Sequence, residues 1–323
     1  MFAFVEITAW HWVAFILCVL FFLALDLGVF HREAHVVKFK EALGWTSIWF
    51  TVAMLFALGL RFARGPEESL EFLTGYLIEL SLSMDNVFVI ALIFAYFRVP
   101  QQYQHRVLFW GILGALIMRG VLIAVGAALI QQFQWMLYVF GIFLVFTGVK
   151  MLFVDDDGVH PEKNPVIRLA RKLFPISTEL NGQHFTIKRE AGIALTPLAL
   201  VLILVETTDL IFALDSIPAI FAVTTKPFIV FTSNVFAILG LRSLYFVLAG
   251  AIGLFRYLKY GLSLVLVFIG VKMLLAPHHG PPKAWQVDIP IVASLIIVVA
   301  IILASIFLSL WAARCAEKAD KSE

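Results

Sequence analysis

Five carboxylates stand inside stretches that are otherwise strongly apolar: Glu79 and Asp85 in GYLIELSLSMDNV, and Glu206, Asp209 and Asp215 in ETTDLIFALDSIP. A charged side chain at the centre of a bilayer costs roughly 2.5 to 3.5 kcal/mol on insertion scales, so acids persist there when they line a polar cavity, pair with a cation or bind a ligand. Two arginines, Arg119 and Arg242, also fall within apolar runs, and with every acid ionised the tally is minus three. One divalent cation brings that tally to minus one, whereas an oxyanion would add to the repulsion. Structural salt bridges to the two arginines would account for two acids and still leave three. The arithmetic favours a cation as the ligand, with Arg119 or Arg242 as counter-ions.

The donor set narrows the cation. Carboxylates, the Asn86 amide, the hydroxyls of Ser83, Thr207 and Thr208, backbone carbonyls and water suit magnesium, calcium or manganese. Cys18 and Cys315 are too few and too far apart for a disulfide framework or a metal cluster, and all eight histidines fall at helix ends or in polar loops. That argues against copper, zinc and haem, and no resident cofactor is expected. Met84 beside Asp85 offers a thioether that favours manganese over magnesium, although such a methionine is more often packing. Asn234 is a further ligand or, more commonly, the donor of a helix-packing hydrogen bond.

The acids need membrane helices to position them. Hydrophobic residues make up 62% of the 323 and charged residues 14%, against roughly 45 to 50% and about 25% in soluble domains. Apolar runs of about 20 residues, the length that crosses a bilayer, predict an all-α polytopic membrane protein. Its nine transmembrane helices fall near 9–30, 41–63, 70–97, 104–131, 134–153, 193–222, 228–252, 257–276 and 289–312. The first run lacks a positive leader and a small-residue cleavage site, so it reads as a retained span. With the N-terminus outside, sixteen Lys and Arg residues fall in inside segments and four in outside segments, which predicts N-out, C-in. A net charge of only +2 gives no support for a nucleic-acid partner; the expected surroundings are the lipid bilayer.

At about 1.5 Å of rise per residue, Asp85, Glu206 and Asp209 fall within roughly 2 to 3 Å of the midplane, with Glu79 and Asp215 on the outer side. This predicts a central site of the first three, the other two serving as extra ligands or as steps on an exit route. Glu206 and Asp209 share a helix face, but Asp215 is about 240° round from Asp209 on an unbroken helix. Pro218, whose ring opposes the carbonyl of Leu214, predicts a kink or opening there, and Pro197 a distortion at the inner end. Lys150 and Lys272, near helix ends, are expected to snorkel. The one sizeable polar segment, Asp155 to Glu190, predicts a solvated cytoplasmic linker. In it VIRLARKLF forms a short amphipathic helix and ELNGQHFTI a small hairpin turning at Asn-Gly. The consecutive acids of DDDGVH lack the alternation of a calcium loop.

An internal repeat organises the spans. LVFTGVKML at 144–152 recurs as LVFIGVKML at 266–274, ILG at 112–114 recurs at 238–240, and MDNV at 84–87 parallels LDSI at 214–217. Each Asp has another acid six residues earlier, Glu79 or Asp209. Spans 3–5 and 6–8 therefore match, and three crossings per unit, an odd number, predict an inverted repeat of the kind secondary transporters use. The expected organisation is one transmembrane domain over 1–323. Within it repeat 1 covers 70–153, a cytoplasmic loop 154–192, repeat 2 193–276 and the last helix 289–312. The pairing of Glu79 with Asp209 and of Asp85 with Asp215 calls for mirrored depths, which these span limits do not give.

GYLIELSLSMDNVFVIALIF, ETTDLIFALDSIPAIFAVT and SNVFAILGLRSLYFVL together resemble the TerC family of integral membrane proteins, in its Alx-like branch, and the similarity runs over nearly all of the chain. The resemblance implies a multi-pass protein of the inner (plasma) membrane that exports metal ions, chiefly divalent manganese, from the cytosol, and it implies no enzymatic activity. The family's intramembrane acids correspond here to Glu79, Asp85, Glu206, Asp209 and Asp215. Other readings compete. A divalent cation exchanger, for calcium or another metal, would use the same carboxylates to carry protons as the coupling ion. A non-transporting partner in membrane-protein assembly would tolerate Asp→Asn changes. An intramembrane aspartyl protease would need Asp85 and Asp209 as a dyad, but the chain has neither a G-x-G-D element nor a P-A-L-like segment.

Overall fold

The computed structural model describes residues 7–25, 39–153, 164–177, 182–189, 192–248, 257–277 and 286–320. They form ten α-helices and one two-stranded hairpin. The helices are α1 (Ala9–Leu25), α2 (Phe39–Ala63), α3 (Pro66–Tyr96), α4 (Gln101–Gln132), α5 (Met136–Phe153), α6 (Pro165–Leu173), α7 (Pro197–Phe221), α8 (Pro227–Leu248), α9 (Leu258–Leu275) and α10 (Ile291–Asp320). Strands β1 (Thr186–Arg189) and β2 (Gly192–Leu195) pair antiparallel. Eight helices are long and apolar enough to cross a membrane: α2 to α5 and α7 to α10. Among the described residues that is eight of the nine expected spans. The first run supplies α1, of which 17 residues are described; the remainder of that run, 26–30, lies outside the described residues.

Burial sorts the helices by position. In α8, 94% of the apolar stretch is buried, against 17% in α10 and 22% in α2 and α5. So α8 runs through the protein interior, while the outer helices turn large apolar side chains such as Phe62, Phe146 and Phe307 outward, as lipid contact requires. Around α8 the contacts are reciprocal: α3 packs on α8 and α4 on α7, while α3 packs on α7, α4 on α8 and α5 on α9.

The α5–α9 seam is the closest. A Cβ on Gly148 would come within 2.9 Å of the Ser263 carbonyl oxygen and 2.8 Å of Val267 Cγ2, and one on Gly270 within 2.8 Å of both the Gly141 carbonyl oxygen and Val145 Cγ2. Only glycine lets the backbones approach so far, the small-residue contact typical of membrane helices. The Ser263 hydroxyl donates to the Gly148 carbonyl across the same seam.

Several local expectations change. Pro197 does not distort α7 but begins it, at the first helical position where the missing N–H costs nothing. The Thr196 hydroxyl caps that turn, accepting from the Ala199 N–H at 3.4 Å. Helix α7 continues through Pro218 to Phe221 without a break, so no opening separates Asp215 from its neighbours. The hairpin lies further along than the Asn-Gly turn: Gly182 adopts φ 53°, but the paired strands are 186–189 and 192–195, where β-branched Thr186, Ile187 and Ile193 favour extension. The amphipathic helix forms as α6, with the Asn164 side chain accepting from the Val166 and Ile167 N–H groups at 2.9 and 3.3 Å. Lys150 is exposed, whereas Lys272 is buried and lies within the field of Asp288. The DDDGVH segment lies outside the described residues.

Candidate cation site

Arg119, mid-helix in α4 and 1% exposed, organises the intramembrane charge. Its Nε and Nη2 donate to the two oxygens of Asp209 on α7, at 3.1 and 2.8 Å. Its Nη1 donates to Glu79 on α3, with the Ser216 hydroxyl at 3.2 Å and Asn234 Oδ1 on α8 at 3.4 Å. One guanidinium thus joins Glu79 and Asp209, the acids that lie six residues before Asp85 and Asp215. The planar fork of arginine, with donors pointing in several directions, is suited to this. Asp209 and Ser216 are seven residues apart, two turns of one face, which is how one arginine reaches both.

Beside this cluster lies a cavity of about 40 Å³ lined by Glu79, Asp85, Asn86, Arg119, Asp215 and Ser216, with Leu82, Met151, Phe212 and Leu266. It gathers the two repeat-matched aspartates, Asp85 and Asp215, together with the residue that follows each, Asn86 and Ser216. Asp215 also lies against α5, near the Thr147 hydroxyl and in the field of Lys150. Several buried polar atoms around the cluster have no hydrogen-bond partner: Glu79 Oε2, Asn86 Oδ1, Ser83 Oγ and Asn234 Nδ2. Buried polar atoms are otherwise almost always satisfied, so this concentration is itself informative. The volume is enough for a small cation with a water or two.

The central trio of Asp85, Glu206 and Asp209 is not what the fold assembles. Asp85 lines the cavity, and Asp209 is held by Arg119. Glu206 sits against Gly114 of α4, where an added Cβ would come within 2.0 Å of its Oε1, and its Oε2 is buried without a partner. Counting rise along an upright axis separated Asp85 from Asp215, but membrane helices tilt, and the cavity brings the two together. Among the described residues, no three His, Cys, Asp or Glu side chains close round a point as a metal's full ligand set would.

Of the remaining candidates, Thr207 and Thr208 donate their hydroxyls to the Ile203 and Leu204 carbonyls of their own helix, both at 2.6 Å, and Met84 packs with the apolar core beside Leu80 and Val89. Arg242 is buried on the other side of Asp209, lining a cleft of about 20 Å³ with Ile90, Leu108 and Val205. Sequence reasoning missed Ser216, Met151 and Thr147. Ser216 was within reach of it: in the MDNV/LDSI parallel it stands where Asn86 does.

Comparison with known proteins gives a consistent result. Residues 64–317 match the Integral membrane protein TerC family. A membrane protein of Myxococcus xanthus, itself uncharacterized, is 53% identical over 285 residues, covering 88% of this chain and 89% of its own. The Escherichia coli K12 protein Alx, described as a candidate membrane-bound redox modulator, is 45% identical over 309 residues, 93% of this chain and 94% of its own. An uncharacterized membrane protein of Rickettsia bellii is 41% identical over 298 residues, 92% and 96% of the two chains. No solved structure matches the chain.

Proposed function

The chain belongs to the TerC family of integral membrane proteins, and on that footing we propose that it is a secondary transporter of the inner (plasma) membrane that exports divalent manganese from the cytosol. The observation that carries this reading is the shared cavity: Asp85 and Asp215, one from each repeat unit, face it with Asn86 and Ser216. The first pair of acids, Glu79 and Asp209, is already neutralised in part by Arg119. Two carboxylates, an amide and a hydroxyl, with waters completing the shell, form a hard-oxygen set for a divalent ion that keeps part of its hydration. Glu79 and Asp209 become additional ligands when Arg119 releases them. Arg119 is then the counter-ion that exchanges with the cargo, and Glu206 and Arg242 flank the route.

An inverted repeat with N-out, C-in topology supplies the framework. The reciprocal contacts of Gly148 with Ser263 and Val267, and of Gly270 with Gly141 and Val145, support it. An offset of 122 residues maps each set onto the other in antiparallel order, as a two-fold axis between α5 and α9 would. In this arrangement alternating access is a rocking of one unit against the other about the midplane site. The reading makes the protein a carrier rather than an enzyme, with no resident cofactor and with protons as the coupling ion.

The test is manganese efflux from proteoliposomes containing wild type, Asp85→Asn or Asp215→Asn at matched protein content. Transport should fall at least about tenfold in each variant, the loss expected when one of two charged ligands is removed. Equal flux in all three would refute the assignment. Calcium counterflow under the same conditions separates a calcium exchanger from a manganese exporter. An assembly partner, or a redox modulator of the sort the Alx name describes, would leave flux at the level of empty vesicles in wild type as well.

A further inference from the structure

Helix α6 presents three kinds of surface in nine residues. Ile167 and Ala170 are buried in the core cluster with Val107 of α4 and Leu198 and Val201 of α7, so α6 is fixed beside the first two turns of α7. Val166, Leu169 and Leu173 fall within about 60° of one another on the helix wheel, next to that docked face. They remain exposed, Leu173 at 64%. Arg168, Arg171 and Lys172 fill the opposite arc and are all exposed. An exposed apolar arc backed by a basic one is the pattern of a helix lying in the plane of a membrane interface.

We propose that α6 is an interfacial anchor whose exposed apolar arc enters the acyl boundary while Arg171 and Lys172 bind anionic phospholipid headgroups. Two observations select a lipid surface as the occupant. The exposed arc belongs to a helix docked on the first two turns of α7, the level at which that membrane span begins. Among the described residues of α6 the charge is cationic only, complementary to anionic headgroups, which attract each nearby Lys or Arg. The anchor sits at the end of the bundle where α7 and the hairpin meet, where the Thr196 hydroxyl donates to the His184 carbonyl at 2.8 Å.

The test uses the full chain with Cys18→Ser, Cys315→Ser and Leu173→Cys, labelled at the introduced thiol with an environment-sensitive NBD fluorophore. It is reconstituted in vesicles of phosphatidylcholine alone or mixed equally with phosphatidylglycerol. Emission should be blue-shifted and quenched by brominated acyl chains, with quenching about twofold greater in the anionic vesicles. Arg171→Gln with Lys172→Gln should bring the two vesicle types to the same value. Equal quenching of the parent in both vesicles overturns the proposal. So does a label untouched by brominated lipid but cross-linked between copies at high protein density, which would identify a second chain as the occupant. Should the first variant fail to fold, Leu169→Cys gives the same readout one turn earlier.

Discussion

At the scale of single residues, Arg119 carries more of the site's electrostatics than any acid does. It is buried with three donors committed to two carboxylates on different helices, so removing it strands both acids in a medium where an uncompensated charge costs far more than in water. Arg119→Ala is therefore expected to destabilise the protein by about 3 to 5 kcal/mol, read as a lower unfolding temperature in detergent. Adding Asp209→Asn to it should recover part of the loss, because one stranded charge disappears. Arg119→Lys should not rescue stability, since a single ammonium cannot reproduce a fork to Asp209 and a further donor to Glu79. An Arg119→Ala protein that melts with the wild type would remove this account. The five acids and two arginines were all legible in the sequence, because charge inside a long apolar run has few harmless explanations. Their partners were not. Which carboxylate meets which arginine depends on tilt and crossing angle, so grouping by depth set Glu206 beside Asp85, whereas the cavity is lined by Asp85 and Asp215, the pair of the MDNV/LDSI parallel.

At the scale of elements, the repeated nonapeptide did more than mark homology between two helices. Its glycines, Gly148 and Gly270, are the points where α5 and α9 touch, and the residues each one meets are related by the same sequence offset. A methyl group at either position would press on backbone atoms, Ser263 O and Val267 N in one case and Gly141 O and Val145 N in the other, which no rotamer change relieves. Gly148→Ala and Gly270→Ala should therefore each destabilise by about 1 to 3 kcal/mol, to similar extents. The double variant should cost less than the sum, because the first substitution already parts the helices. Chemical denaturation of the purified protein measures all three; strict additivity would speak against a single shared seam. Long apolar runs placed the described helix ends to within five residues, except that α10 continues past 312 to Asp320. Prolines misled for a physical reason: Pro197 stands in the first turn, where its missing N–H is no loss, and Pro218 stands in the last turn of α7, where little helix remains to be bent.

At the scale of the whole molecule, the two ends of the bundle are held differently from its middle. One end is covered by α6 and the hairpin, where Arg106 donates to Gln183 at 2.9 Å and lies over the Phe185 ring. The other carries an ionic clasp: Arg64 donates to Glu68 at 2.8 and 2.9 Å, and Lys226, in the turn between α7 and α8, reaches Glu68 at 3.3 Å and Glu71 at 3.1 Å. The middle is closed by tight glycine contacts. In the proposed rocking transport the ends must part cheaply, and polar clasps at a wet boundary serve that need better than packed apolar surface. Partial burial opposes the charge on Lys226, but its hydrogen bond to Glu71 and the fields of Glu71 and Glu68 outweigh that and hold its pKa above the ordinary lysine value. A raised folded pKa means that the stabilisation is whole below the unfolded lysine pKa, about 10.4, and is lost as pH climbs through the folded value. Its size is modest, because 39% of the Lys226 side chain is exposed and water screens it: about 1 kcal/mol or less. The unfolding temperature of Lys226→Ala should therefore sit slightly below wild type at neutral pH, by a margin that stays constant into mild alkali and closes only beyond the lysine range. A margin that widens as pH rises, or none at neutrality, would show that the clasp does not hold this end shut.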